Sequence, residues 1–148
     1  MATTYKEIFN RAVFKVRAYS FSNIEESKVE KILEQYLDSA VADFAPICLS
    51  AAAVDLDNRD DITGEFTETL DNYCKEILSL GIAFYWLSSH VLDEDLTRNA
   101  MSTKDYQFFS PANLLREAKD LRDSIYKEYT GRMNLYSFRK GGISSIGE

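Results

Sequence analysis

The apolar run over residues 77–87 constrains the fold more than any other feature of this sequence, because almost no position in it is polar. A helix that is apolar on every face lies inside a protein or inside a membrane. A membrane span needs about 18 or more apolar residues, and charged or polar residues at positions 71, 75, 76 and 88–90 interrupt this run too early. The sequence therefore predicts a buried central helix over about 70–92. Gly81 in its middle predicts a close crossing by another element, since glycine costs roughly 1 kcal/mol relative to alanine in a helix.

The N-terminal half predicts two helices that pack on the central one. Capping boxes, in which a hydroxyl and a carboxylate three residues later satisfy free backbone amides, begin at Thr4 and at Ser22. The first helix runs to about Arg17. The second should stop before Pro46, because proline disfavours helical geometry in the residue before it. Residues 46–53 fit either a short helix or an extended connection.

The C-terminal half predicts a polar turn over 93–95, a candidate short helical piece through Met101, a loop over 102–110, and one more helix. Ser110 and Pro111 are a typical helix start, and Gly131 is a plausible C-terminal cap. Beyond it the pattern becomes irregular. We therefore predict an all-α fold, with a helical bundle domain over 1–134 and an extended C-terminal tail over 135–148.

Charge and cysteine content narrow the classes of function. The formal net charge is −7, which disfavours a free-standing nucleic-acid binder or docking on anionic lipid, since both require lysine and arginine. The N-terminus lacks the charged start and apolar segment of a signal peptide. Cys48 and Cys74 have no metal-ligand spacing, so we expect buried free thiols in a reducing compartment, with a disulfide as the alternative.

No constellation typical of an enzyme stands out. The acidic segment 55–61 resembles a calcium loop, but the positions where an EF-hand needs an oxygen ligand, glycine and glutamate hold Arg59, Asp60 and Phe66. We therefore expect a solvated acidic loop over 55–64. His90 is the sole histidine, which rules out a site built on several histidines. A general base there would still need a nucleophile and an orienting partner. We expect no catalytic residue, no metal and no cofactor.

Two aromatic segments are candidate partner contacts. The first contains Tyr106, Phe108 and Phe109, which either fold onto the central helix or bind a partner. The second is the start of the tail, where an extended strand would place Tyr136 and Phe138 on one side and could add to the edge of a partner's sheet. The alternative for the tail is a frayed end.

The order of motifs resembles the small head–tail adaptor proteins of tailed bacteriophages, also called connector or head-completion proteins. The resemblance covers nearly the whole chain and rests on five stretches, which are residues 5–9, 34–44, 84–87, 102–113 and 136–139. Arg59 in the acidic segment and the glycine-rich extension after Lys140 depart from the family pattern.

The resemblance implies a structural subunit of the virion neck, assembled in the host cytoplasm without a membrane. Copies would form a dodecameric ring below the portal protein and meet the next neck or tail-completion protein, while DNA passes through an acidic channel without specific binding. The segment that would face the portal comprises Leu135, Tyr136, Ser137, Phe138, Arg139 and Lys140. The alternative function is a cytosolic all-α adaptor or regulator that binds one protein through the same segments.

Overall fold

Four helices account for most of the residues that the computed structural model describes, which are 2–16, 26–100 and 112–139. Side chains at positions 26, 27, 90, 92–100 and 112–115 are not part of this description. The helices are α1 (Tyr5–Lys15), α2 (Glu26–Ala52), α3 (Asn72–Ala100) and α4 (Ala112–Ser137). Three two-residue strands accompany them, β1 (Thr3–Thr4), β2 (Arg59–Asp60) and β3 (Glu65–Phe66). The predicted all-α class is confirmed.

Helix α3 is the central element, as the apolar run predicted, and α1, α2 and α4 all pack against it. Its buried side chains include Ile77, Leu78, Leu80, Ile82, Ala83 and Leu87. The polar turn predicted over 93–95 is wrong, since α3 continues to Ala100. That segment contains neither glycine nor proline, so nothing in its backbone chemistry ends the helix. No helix within the described ranges is long and apolar enough to cross a bilayer.

Helix α2 does not stop before Pro46, so that prediction is also wrong. The helix passes through the proline and ends at Ala52, which settles the open choice for 46–53 in favour of helix. A proline inside a helix costs roughly 3 kcal/mol. Phe44 and Cys48, on either side of it, are completely buried, and the burial of this apolar face offsets that cost.

The close crossing predicted at Gly81 lies between α3 and α2. A β-carbon at Gly81 would lie 2.6 Å from the Ala40 Cβ and 3.0 Å from the phenol of Tyr129 on α4. Real β-carbons do not approach so closely, so a residue larger than glycine cannot be accommodated without moving these helices. Three helices therefore meet at Gly81.

Helix α1 is capped as predicted and attached to α3 by ion pairs. The Thr4 hydroxyl accepts a hydrogen bond from the Glu7 backbone amide. The Glu7 carboxylate does not complete the capping box with Thr4, because it pairs instead with Lys75 on α3 at 2.9 Å. Glu76 accepts from both Arg11 and Lys15. The capping box predicted at Ser22 lies outside the described residues.

The acidic segment folds into a small hairpin and not into a loop. Strand β3 pairs antiparallel with β1 on one side and with β2 on the other. Within the turn, the Asp60 carboxylate accepts from the amide of Ile62 at 2.8 Å. Gly64 follows with a φ of +72°, a conformation that favours glycine. We call residues 61–64 the β2–β3 turn.

Helix α4 lies antiparallel to α3 and extends further than predicted. It passes through Gly131 without ending and continues to Ser137, and a last helical turn covers 138 and 139. The predicted end at Gly131 is therefore wrong, as is the extended conformation predicted for 135–139. A helix places Tyr136 and Phe138 on different faces. This conformation is favoured because it buries Tyr136 against α2 and α3.

Candidate protein-binding site

A groove of about 260 Å³ lies between the first turns of α3 and the last turns of α4. Its lining residues are Tyr73, Ile77, Arg132, Leu135, Tyr136 and Arg139, and we call it the C-terminal groove. The two lining residues from α3 are four positions apart. The other three lining residues from α4 follow Arg132 by three, four and seven positions, so each set lies on one face of its helix. The groove exists because these two antiparallel faces meet.

The start of α3 is held in place by its own cap and by β1. The Asp71 carboxylate accepts a hydrogen bond from the Cys74 backbone amide at 2.8 Å, as an N-cap aspartate does. The buried hydroxyl of Thr3 accepts from the Leu70 amide at 2.8 Å. These contacts set the position of Tyr73, whose side chain is 53% exposed at the rim of the groove.

Tyr136 anchors the last turns of α4 to the core. Its ring packs edge to face on Phe44 with centroids 5.1 Å apart. The Cys74 thiol donates to its hydroxyl across 3.3 Å, and the Cys48 sulfur lies 3.8 Å from the same oxygen. Burial raises the pKa of Tyr136 well above its usual range, so the phenol stays neutral. Tyr136 is therefore the buried wall of the groove.

The rim of the C-terminal groove is basic, in contrast to the acidic chain as a whole. Arg132 donates to Glu128 on the same helix at 3.0 Å, and both side chains are nearly half exposed. Such an exposed ion pair contributes little to stability, so Arg132 can readily exchange Glu128 for a carboxylate of a partner. Within the described residues Arg139 has no ion-pair partner. The groove thus offers an apolar floor with two guanidinium groups, which suits a protein partner carrying an apolar side chain beside carboxylates.

The β2–β3 turn is a second exposed feature. Ile62 is 96% exposed, the most exposed of the large apolar side chains in the described residues. The hairpin is held by the Tyr5 hydroxyl, which donates to Asp61 at 2.6 Å, and by Arg59, which donates to Asp38 at 2.7 Å. Asp61, one of the carboxylates that suggested a calcium loop, therefore helps to hold the hairpin. No group of three histidine, cysteine or acidic side chains in the described part of the chain is arranged to hold a metal ion.

The structure separates the residues predicted to face a portal. Leu135 and Phe138 are 46% and 53% exposed, and Ser137 and Arg139 are exposed as well. Tyr136 is buried in the wall of the C-terminal groove and does not project from the surface. Lys140 lies outside the described residues, as do the other candidate contacts Tyr106, Phe108 and Phe109; the side chain of His90 is not described either.

Both cysteines are buried and free, as expected, with their sulfur atoms 3.9 Å apart. The hydrogen bond with Cys48, together with burial, raises the pKa of Cys74 far above that of an ordinary thiol. A neutral buried thiol is a poor nucleophile. Both sulfur atoms contact the Tyr136 hydroxyl, so the pair is part of the packing around Tyr136.

Sequence reasoning missed the α3 side of the groove. Tyr73 and Ile77 are separated from Arg139 by more than 60 positions, and no local pattern connects them. The available signal was an aromatic residue, Tyr73, in the first turn of the helix, where polar residues are common. This signal alone could not identify the helix that would lie opposite.

Comparisons with known proteins add no family to this geometry. No protein-family model, curated protein or solved structure matches the chain.

Proposed function

We propose that this chain is a non-catalytic structural subunit of the head–tail adaptor class, part of a ring below the portal protein of a tailed bacteriophage. The observation that carries the proposal is the cluster of exposed apolar side chains at the end of α4, where Leu135 and Phe138 are about half exposed. Exposed apolar side chains that lie close together are typical of protein interaction sites. This cluster falls in the same segment that the family resemblance assigns to portal binding.

The structure changes how such a contact would be made. An extended tail would bind by adding a strand to a sheet, whereas residues 135–139 are helical and present side chains from one helix face. Phe138 and Arg139 would enter the interface, while Tyr136 holds the helix in position. The net charge of −7 supports a channel role, because an acidic wall repels the DNA backbone.

The test is an affinity purification from the native source with an N-terminally tagged chain. We expect the wild-type chain to recover a portal protein, identified by mass spectrometry, and Phe138→Glu to lose it. Phe14→Glu is the matched control, because Phe14 is an equally apolar and even more exposed residue on α1. Circular dichroism would establish that both variants are folded.

Two results would contradict the proposal. One is recovery of a single protein unrelated to a virion, which would favour the alternative of a cytosolic helical adaptor. The other is full portal recovery by Phe138→Glu, which would remove the end of α4 from the interface.

A further inference from the structure

The molecule carries a protruding acidic turn and a basic groove of matching chemistry. Residues 55–65, which include the β2–β3 turn, contain five carboxylates and one arginine. Ile62 projects from this segment with 96% of its side chain exposed. The C-terminal groove has the opposite charge and an apolar interior, formed by Ile77, Leu135 and Tyr136 between Arg132 and Arg139.

We propose that the β2–β3 turn of one copy docks in the C-terminal groove of a second copy. Ile62 would enter the apolar floor, and the carboxylates of Asp60 and Asp61 would lie near the guanidinium groups at the rim. The free volume of about 260 Å³ is ample for one isoleucine side chain. Complementary charge then sets the register of the contact and excludes docking of two like-charged grooves.

The turn does not fill the groove of its own chain, because Ile62 is 96% exposed and no residue of 55–65 lines the groove. Arg59 beside the turn is paired with Asp38 of α2. Asp61 in the turn accepts from the Tyr5 hydroxyl of α1. The hairpin is therefore attached to α1 and α2. The groove is formed on the side of α4.

A contact between two different surfaces of identical copies is heterologous, so it generates a closed ring or an open filament and not a two-fold dimer. This inference deepens the proposed ring assembly by naming the surfaces through which copies meet. This inference rests on the proposed function only for the biological setting of the contact, which is a ring in the virion neck. Phe138 does not line the groove and stays available for a different partner.

The test is site-directed cross-linking of the purified full-length chain, with no portal protein present. We would mix Ile62→Cys with Tyr73→Cys and add a short bismaleimide; Cys48 and Cys74 stay in place because they are buried. We expect a dimer in the mixture at least several-fold above that of either variant alone, and a ladder of larger species from the chain that carries both substitutions.

Charge variants give the matched control. Adding Arg139→Glu to the Tyr73→Cys chain should reduce cross-linking several-fold, because it places like charges in the contact. Arg116→Glu makes the same charge change about 34 Å away along α4 and should leave cross-linking unchanged. Raising the salt concentration should weaken the reaction in the same direction as Arg139→Glu.

The proposal is overturned if the mixture cross-links no better than Phe14→Cys with Tyr73→Cys. It is also overturned if Tyr73→Cys alone forms dimers as efficiently as the mixture, since that result means a groove-to-groove contact. If cross-linking succeeds but the affinity purification recovers no portal protein, the contact between copies stands and the portal assignment is rejected. The failure of one proposal can therefore be distinguished from the failure of the other.

Discussion

At the scale of single residues, two glycines within helices have opposite surroundings. A β-carbon at Gly81 would collide with Ala40 and Tyr129, whereas one at Gly131 would meet nothing within 4 Å. Gly81→Ala should destabilise the protein by about 1–3 kcal/mol through overpacking. Gly131→Ala should stabilise it by about 0.5–1 kcal/mol, because alanine favours helix. Urea unfolding of both variants measures this contrast, and equal effects would contradict the crossing at Gly81.

Tyrosines hydrogen-bonded to carboxylates should make the protein sensitive to high pH. Burial and the bond to Asp61 raise the pKa of Tyr5 to about 12. Burial and the bond to Asp43 do the same for Tyr85, and Asp43 also accepts from Tyr129 at 3.0 Å. The folded state binds these protons more tightly than the unfolded chain, whose tyrosines titrate near 10. The stability that these tyrosines contribute is therefore fully present below about pH 10. It is lost as the pH rises towards 12.

The measurement is the urea midpoint from pH 8 to pH 12 for the wild type and for the variant with Tyr5→Phe and Tyr85→Phe. The variant should be less stable at pH 8 but lose less stability between pH 10 and 12. Parallel curves for the two proteins would mean that these hydroxyls do not control the alkaline response.

At the scale of elements, the last turns of α4 are the most direct test of the fold. Tyr136→Ala should cost about 3–5 kcal/mol, as expected for a large buried aromatic residue. Phe138→Ala, two residues later and half exposed, should change stability by less than about 0.5 kcal/mol. Equilibrium unfolding of the two variants tests this difference. Similar losses at both positions would indicate an extended segment with both rings on one side.

The attachment of α1 to α3 depends on Glu76, which binds Arg11 and Lys15. Partial burial opposes ionisation of Glu76, but these two cations outweigh it and lower the pKa of Glu76 below its usual value of 4.5. Its contribution is therefore complete above about pH 4.5 and is lost as the pH falls further. Glu76→Gln should cost about 1 kcal/mol at neutral pH.

Hydrogen exchange locates this effect, since the amides of α1 should lose protection in Glu76→Gln more than those of α4. Glu128→Gln is the control, because its partner Arg132 is exposed and on the same helix. It should change stability by no more than a few tenths of a kcal/mol. Equal loss of protection in all helices would contradict a local role for Glu76.

At the scale of the whole molecule, the two thiols report on opening of the bundle. Cys48 and Cys74 lie on α2 and α3 beneath Tyr136 of α4, so a reagent reaches them only when these helices separate. Ellman's reagent should react slowly in native buffer and release two equivalents in denaturant. Tyr136→Ala should accelerate the native reaction. Rapid labelling of the wild type would contradict this packing.

The sequence by itself was sufficient for the helical class, the central position of α3, the cap at Thr4 and the close crossing at Gly81. These features depend on local chemistry. Apolar periodicity selects a helix and its buried face, the Thr4 hydroxyl bonds an amide three residues away, and a glycine in a helix indicates close packing.

Only the tertiary structure decided the continuation of α2 through Pro46, the conformation of residues 135–139 and the existence of the C-terminal groove. Local rules disfavour helix at Pro46 and predict an irregular chain after Gly131. Burial of Cys48 and Tyr136 between three helices outweighs those preferences. The groove joins Tyr73 to residues more than 58 positions away, and such long-range pairings arise from the packing of whole helices and not from any local pattern.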